Sequence, residues 1–385
     1  MKKYLLPLFF SLALFARAQT QLPRPLAFVP ADSIVGMGFD RTDLRRTSIL
    51  GGAGENVPVV SASPLPSKAF RKQVQDWEKL VLRSFSLSGI YFLQSADKSV
   101  IAASKALDNA ARLLLLTADA SFADAIERLA YNQLLSSATQ PGPASFEKSY
   151  ALRAIARAAG MAFATDKEGV YINLYSNGSA TMNAGGVALS LDVITRMPEE
   201  GRVRVRVGGL RKEGTPLKVR VRIPMWAEGK VFPEGRFVST ATDIPEVKIY
   251  VNGREPLNTQ RRSGYVEIDR EWNNGDELML LLPMPALFVR PAAEGKKGGN
   301  RGEIAAMRGP LVYVPPVQAA DCYTVATRPP EVNPEPNAQG HLQLLVKMFR
   351  DKNIPADAKA PEANFLLQPI MDCPPAASPW LREPK

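Results

Sequence analysis

The chain has 385 residues, 45% of them apolar, and a formal charge of +10. That length leaves room for two domains with ordinary globular cores. The positive charge is dispersed over alternating segments instead of being packed into a basic stripe with interleaved aromatics, which argues against a nucleic-acid partner.

The N-terminus reads as an address. Lys2-Lys3 precedes a short apolar run from Tyr4 to Ala16, and Ala16-Arg17-Ala18 supplies a small-x-small cleavage pattern. The run is short for a membrane span. Residues 1–18 are therefore expected to be a signal peptide, and the protein to be exported to the periplasm or the extracellular space with no membrane span after cleavage. Losing Lys2, Lys3 and Arg17 leaves a formal charge of +7. Residues 19–65 are rich in Pro, Gly and Ser without a sustained period and read as an irregular arm. Gly51-Gly52-Ala53-Gly54 lacks the preceding strand and following Lys of a phosphate loop.

Residues 66–162 carry helical periodicity. Phe70, Val74, Trp77, Val81 and Phe85 recur at spacings of three and four. A second helix is expected from Asp97 to Leu116, with Asp97 as its cap. A third is expected from Ser121 to Leu135, with Phe122, Ile126, Leu129 and Leu134 inward, and a fourth from Ser145 to Ala159. Gln140-Pro-Gly-Pro separates the last two.

From residue 163 to 316 the period changes to two. Val203, Val205 and Val207 alternate with Arg202, Arg204 and Arg206; Val219, Val221 and Ile223 alternate with Lys218, Arg220 and Arg222. Val247, Ile249, Val251 and Leu278, Leu280, Leu282 repeat the pattern. Such spacing puts the apolar set on one face of a strand and the charged set on the other. Asn252-Gly253 is a hairpin signal, Asn274-Gly275-Asp276 a further turn, and Pro224 a strand end or bulge. Residues 317–385 read as a proline-rich tail with one short helix, Leu342 to Phe349. Cys322 and Cys373 are the two cysteines. In an exported chain they are expected to pair, which stabilises by about 4 kcal/mol in the chain-entropy model; two separate thiols are the alternative. With one histidine, His341, and no Cys-x-x-Cys, no metal site is expected from them.

The phrases Gly169 to Tyr175, Leu217 to Ala227, Val251 to Glu255, Gly264 to Trp272, Gly275 to Met284 and Ala305 to Tyr313 resemble, in order, the β-sandwich part of glycoside hydrolase family 127, the β-L-arabinofuranosidase family. The helical phrase Asp124-Ala-Ile-Glu-Arg-Leu-Ala-Tyr-Asn-Gln-Leu-Leu resembles the family's Asp-x-x-Glu-Arg-x-x-Tyr-Asn-x-x-Leu segment. The resemblance implies an α+β, multidomain chain: a short all-helical segment, the remnant of an (α/α) barrel, followed by an antiparallel β-sandwich. It also implies action on L-arabinofuranose-containing plant glycans, through a zinc-held cysteine thiolate as nucleophile and a glutamate as acid/base.

Carried over by position, the family's Glu-x-Cys falls at Ser99 and Ile101, and its Cys-Cys at Phe146 and Glu147. Ser99, Ile101 and Phe146 cannot replace a thiolate, so no zinc or other cofactor is expected, and the chain reads as truncated and weakly active or inactive, a possible pseudoenzyme. A different hydrolytic site would need paired carboxylates; the candidates are Glu127, Glu147 and Asp124, against the competing expectation of ion pairing or solvation. A non-catalytic glycan- or partner-binding module would use Trp226, Trp272, Tyr250 and Tyr265 as stacking faces, although large aromatics in sheet modules more often fill the core. The Arg and Lys faces of the strands favour acidic polysaccharides or are simply solvated. A missing barrel half would leave apolar helix such as Leu113 to Leu116 to be covered by a partner chain.

Overall fold

The computed structural model of the chain describes residues 27–28, 34–35, 72, 96–139, 145–231, 236–241, 243–292, 302–324, 328–353, 363–373 and 378–383. The expected signal peptide, almost all of the arm, the helix expected around Phe70 to Phe85 and the Pro-Gly-Pro break lie outside these residues. Architecture among the described residues is α+β, with few helices and many strands.

Helix α1 runs from Ala96 to Thr117 and places Asp97 inside its first turn. Helix α2, Ser121–Leu129, continues through a π-helical turn, Ala130–Leu134, into α3, Leu135–Thr139. All four residues expected inward on this segment are buried. Helix α4, Phe146–Ala159, starts at Ser145, whose hydroxyl accepts from the Lys148 N–H and satisfies one of the orphan donors of the first turn.

Three sheets follow. The first orders its strands as Ala27–Phe28, Phe163–Thr165, Gly169–Ile172, Thr215–Arg222, Tyr265–Trp272, Thr259–Arg262. Its Gly169–Ile172 and Thr215–Arg222 strands are parallel, so the expectation of a wholly antiparallel module is corrected. The second orders Lys248–Val251, Glu277–Leu281, Arg202–Gly208, Val187–Thr195, Gly178–Ala184, Ile34–Val35. Alternation decides burial as expected: Val203, Val205 and Val207 are buried, as are Leu278 and Leu280 across the ladder. Apolar residues from both sheets and from the helices belong to one contiguous core.

The third sheet overturns the tail. Leu311–Val314, Ala363–Pro369, Leu342–Phe349, Tyr323–Thr324, Leu381–Arg382 and Glu303–Arg308 pair in succession, and Glu303–Arg308 pairs back to Leu311–Val314, closing a ring of six strands. The segment Leu342–Phe349 is thus a strand, not a helix. Its Leu344, Val346 and Met348 are buried at every second position, a period the short apolar run alone did not distinguish from a helical one.

Turn chemistry also differs in one place. Asn252 (φ +50°) and Gly253 (φ +77°) do adopt the left-handed pair of a type I′ turn, but only the single bridge Val251–Arg254 flanks it. The strand Lys248–Val251 pairs instead with Glu277–Leu281. A two-residue hairpin of the expected kind sits at Ser263 (φ +47°) and Gly264 (φ +78°), joining Thr259–Arg262 to Tyr265–Trp272. Pro224 ends its strand as expected and leads into a 3₁₀ turn, Met225–Glu228.

Candidate functional site

Helix α2 is buried on almost every side. An amphipathic helix normally turns its charges to water, yet Asp124, Glu127 and Arg128 are all buried here. Their cover is the end of the strand Thr215–Arg222 and the 3₁₀ turn after it. Arg222, expected on a solvated strand face, is fully buried. Its Nη1 donates to Asp124 Oδ1 at 2.9 Å and to Glu127 Oε2 at 3.3 Å, and its Nη2 donates to Glu127 Oε1 at 2.5 Å. The Trp226 indole donates to Glu127 Oε2 at 2.9 Å, and the Met225 N–H to Asp124 Oδ1 at 3.1 Å. Tyr175 donates its hydroxyl to the Arg222 carbonyl, and the Arg222 guanidinium lies 5.6 Å from the Tyr175 ring centre.

Electrostatics follow from this burial. Loss of water pushes the Asp124 carboxyl up to about 7, with Glu127 adding to the rise and Arg222 opposing it. Asp124 Oδ2 is buried and meets no donor, which is where a proton would sit. Burial pulls Arg222 down, but Glu127 and Asp124 outweigh it and hold the guanidinium above its ordinary range. Burial lowers Arg128 to about 10 against the opposing pull of the same two carboxylates.

The π-helical turn makes a second junction. Asn132 donates its amide to the Pro310 carbonyl at 2.9 Å and accepts from the Val312 N–H at 2.8 Å. It thereby caps the turn between Glu303–Arg308 and Leu311–Val314. Three separated stretches of sequence therefore meet here: Asp124 to Leu135, Arg220 to Ala227, and Arg308 to Tyr313. They lie within three of the seven phrases that suggested a family, and what they build is a latch between helices and sheets.

The candidate residues are sorted by this geometry. Asp124 and Glu127 are brought together; both lie within 3.3 Å of one Arg222 nitrogen, compatible with the roughly 5–10 Å separation that glycosidic hydrolysis uses. Access is what they lack. The cavity beside them, bounded by Arg128, Trp226, Lys230 and Pro310, is about 20 Å³, room for one water and no sugar. Glu147 stands apart in the first turn of α4.

The stacking candidates are corrected likewise. Trp226 is buried against Glu127; Trp272 is fully buried and donates to the Leu217 carbonyl at 2.9 Å; Tyr265 is buried and donates to Asn173 Oδ1 at 2.7 Å. Each has found the hydrogen-bond partner that a buried Tyr or Trp requires. Tyr250 alone is half-exposed.

Cys322 and Cys373 are not joined as a disulfide. Cys322 belongs to the main core, whereas Cys373 packs on a separate apolar cluster and its thiol donates to the Pro369 carbonyl. Of the positions where the family's thiolates fall, Ile101 is half-buried and Phe146 is 61% exposed with its ring 5.5 Å from Tyr150. Those side chains offer zinc no donor, and the described residues contain no group of three or more His, Cys, Asp or Glu placed to hold a metal. No described helix is long and apolar enough to cross a membrane.

The resemblance to family 127 is borne out: residues 169–284 match the family model described as beta-L-arabinofuranosidase, GH127 middle domain. Among solved structures, a GH127 beta-arabinofuranosidase aligns at TM-score 0.62 and 22% identity over 74% of this chain and 49% of its own. A GH127 beta-L-arabinofuranosidase from Geobacillus stearothermophilus T6 aligns at TM-score 0.64 and 19% identity over 82% and 57%. A third, described as a glycoside hydrolase, aligns at 0.55 and 20% over 74% and 52%. The chain thus spans about half the length of these structures, and at such identities they speak to fold alone. No curated protein matches.

Proposed function

We propose that this is an exported, glycan-associated protein of the family-127 type, acting with L-arabinofuranose-containing plant glycans while contributing little or no hydrolysis itself. In that reading the two six-stranded sheets are the leaves of a β-sandwich, and α1 to α4 are the remnant of an (α/α) barrel. Export to the periplasm or beyond rests on the Lys2-Lys3, Tyr4–Ala16 and Ala16-Arg17-Ala18 pattern.

One observation carries the inactive reading. The two candidate carboxylates on α2, Asp124 and Glu127, are consumed by Arg222, Trp226 and the Met225 N–H, beside a cavity the size of one water. A general acid or a nucleophile must reach the glycosidic bond; these cannot without dismantling the latch. Zinc-thiolate chemistry has no residues to support it at Ser99, Ile101 and Phe146.

The deciding experiment is an assay of the purified chain on an aryl β-L-arabinofuranoside, with zinc measured on the same sample. The expected result is no turnover above background and less than one zinc per ten chains. Turnover that a chelator abolishes refutes the inactive reading. A non-catalytic binding module is the second reading, favoured by the open basic face of the second sheet.

A further inference from the structure

The two six-stranded sheets treat their charged faces differently. On the first, every cation of the strand Thr215–Arg222 has a partner. Lys218 Nζ lies 3.0 Å from Glu168 and 3.2 Å from Glu267, while Arg220 reaches Asp166, Glu168 and Glu267 within 3.3 Å. Cross-strand pairing of opposite charges is how a sheet face normally settles such residues.

On the second sheet the same alternation carries, among the described residues, a single, long ion pair. Arg202, Arg204 and Arg206 project from one strand at intervals of roughly 7 Å, and all three are exposed. Arg204 has one distant carboxylate, Glu277 at 3.9 Å. Arg206 stands opposite Asp192 and Glu277 in the ladder without an ion pair to either, and Arg202 stands opposite Leu281. Exposed Lys248 completes the row through Leu281. Between these cations lie apolar and aromatic side chains: half-exposed Tyr250 and Met279 and exposed Ile194 share the cross-strand row of Arg204.

We propose that this face binds an anionic polysaccharide, its uronate carboxylates received by Arg202, Arg204, Arg206 and Lys248 and a sugar ring laid against Tyr250. The planar guanidinium fork matches a carboxylate in two-point geometry. The row of three is a ladder for charges repeated along an extended chain, and the aromatic supplies the apolar face that sugar C–H groups need. The strand Thr215–Arg222, built by the same alternation and paired at Lys218, Arg220 and Arg222, is the internal contrast: an arginine-bearing strand in this fold does not have to stay unpaired. The inference rests on the reading of the chain as glycan-associated and narrows the glycan to an acidic one.

The test is native affinity electrophoresis of the full chain in gels containing polygalacturonate, neutral arabinan or single-stranded DNA. Retardation is expected in polygalacturonate and falls as salt rises. The variant R202Q/R204Q/R206Q should lose at least tenfold in apparent affinity and Y250A several-fold, with thermal melting checking that each is folded. A charge-matched control, K167Q/R211Q/K212Q, removes three exposed cations elsewhere and should be retarded like the wild type. No retardation, equal loss in the control triple, or retardation at least as strong by DNA overturns the proposal. Turnover of the aryl arabinofuranoside bears on the inactive reading alone and leaves the electrophoretic result standing.

Discussion

Replacing Arg222 by Met tests whether the latch is what it is described to be. Arg222 is fully buried and supplies three of the hydrogen bonds received by Asp124 and Glu127. Methionine fills much of the space but removes the charge, leaving two carboxylates out of water with Trp226, the Met225 N–H and Arg128 among the groups left to receive them. Removing one partner of a buried ion pair costs about 3–5 kcal/mol, which corresponds to a fall in melting temperature of roughly 4–6 °C for a chain of this size. Thermal and urea unfolding of R222M against wild type measure it. The variant E127Q/R222M should recover part of the loss, because a glutamine oxygen still accepts from the Trp226 indole and no longer carries charge. A destabilisation of R222M below about 1 kcal/mol, or no recovery in the double variant, would refute the latch.

Three further outcomes follow from the same geometry. Asp124 is held near 7 in the folded chain against an unfolded value of 3.8; the folded state then binds the extra proton, so this group's contribution favours folding at low pH and is lost as pH rises from about 4 to 7. Comparing wild type with D124N, which does not titrate, the stability difference should change by about 3 kcal/mol between pH 5 and pH 8; a constant difference rejects the raised value. A Cβ at Gly264 would meet the Ala120 Cβ at 2.7 Å with φ at +78°, where the Ser263 carbonyl accepts from the Ala120 N–H. G264A should therefore cost about 2–4 kcal/mol in chemical denaturation, and a neutral result denies that the hairpin tip is pressed onto α2. Cys322 and Cys373 should both titrate with a thiol reagent in denaturant under non-reducing conditions, and reductant should leave the melting temperature unchanged; an unreactive pair would restore the disulfide.

Much of the secondary structure is legible from local chemistry. Ser145 caps α4 because its hydroxyl reaches the Lys148 N–H, and a period of two buries Val203, Val205 and Val207, because these effects act within a few residues. Leu342–Phe349 was not legible: a short apolar run is compatible with either period until a neighbouring strand offers its ladder. Nor was the Asn252-Gly253 turn fully so. Its backbone is the expected one, but which strands a turn brings together depends on partners distant in the chain.

The sequence by itself determined the helices α1, α2 and α4, the alternating strands and the resemblance to family 127, since periodicity, capping and turn residues are local properties, whereas the π turn and α3 were not foreseen. Whether a charge lies in water or in the core was decided only by tertiary structure. Arg204 and Arg222 occupy equivalent places in two alternating Val-Arg strands, yet one is exposed and the other fully buried. The difference is that α2 lies over the end of one strand and, among the described residues, no helix covers the other. Burial then turns Asp124 and Glu127 from candidate acids into ligands of an arginine, because desolvated carboxylates are stable only where a matching cation and donors receive them.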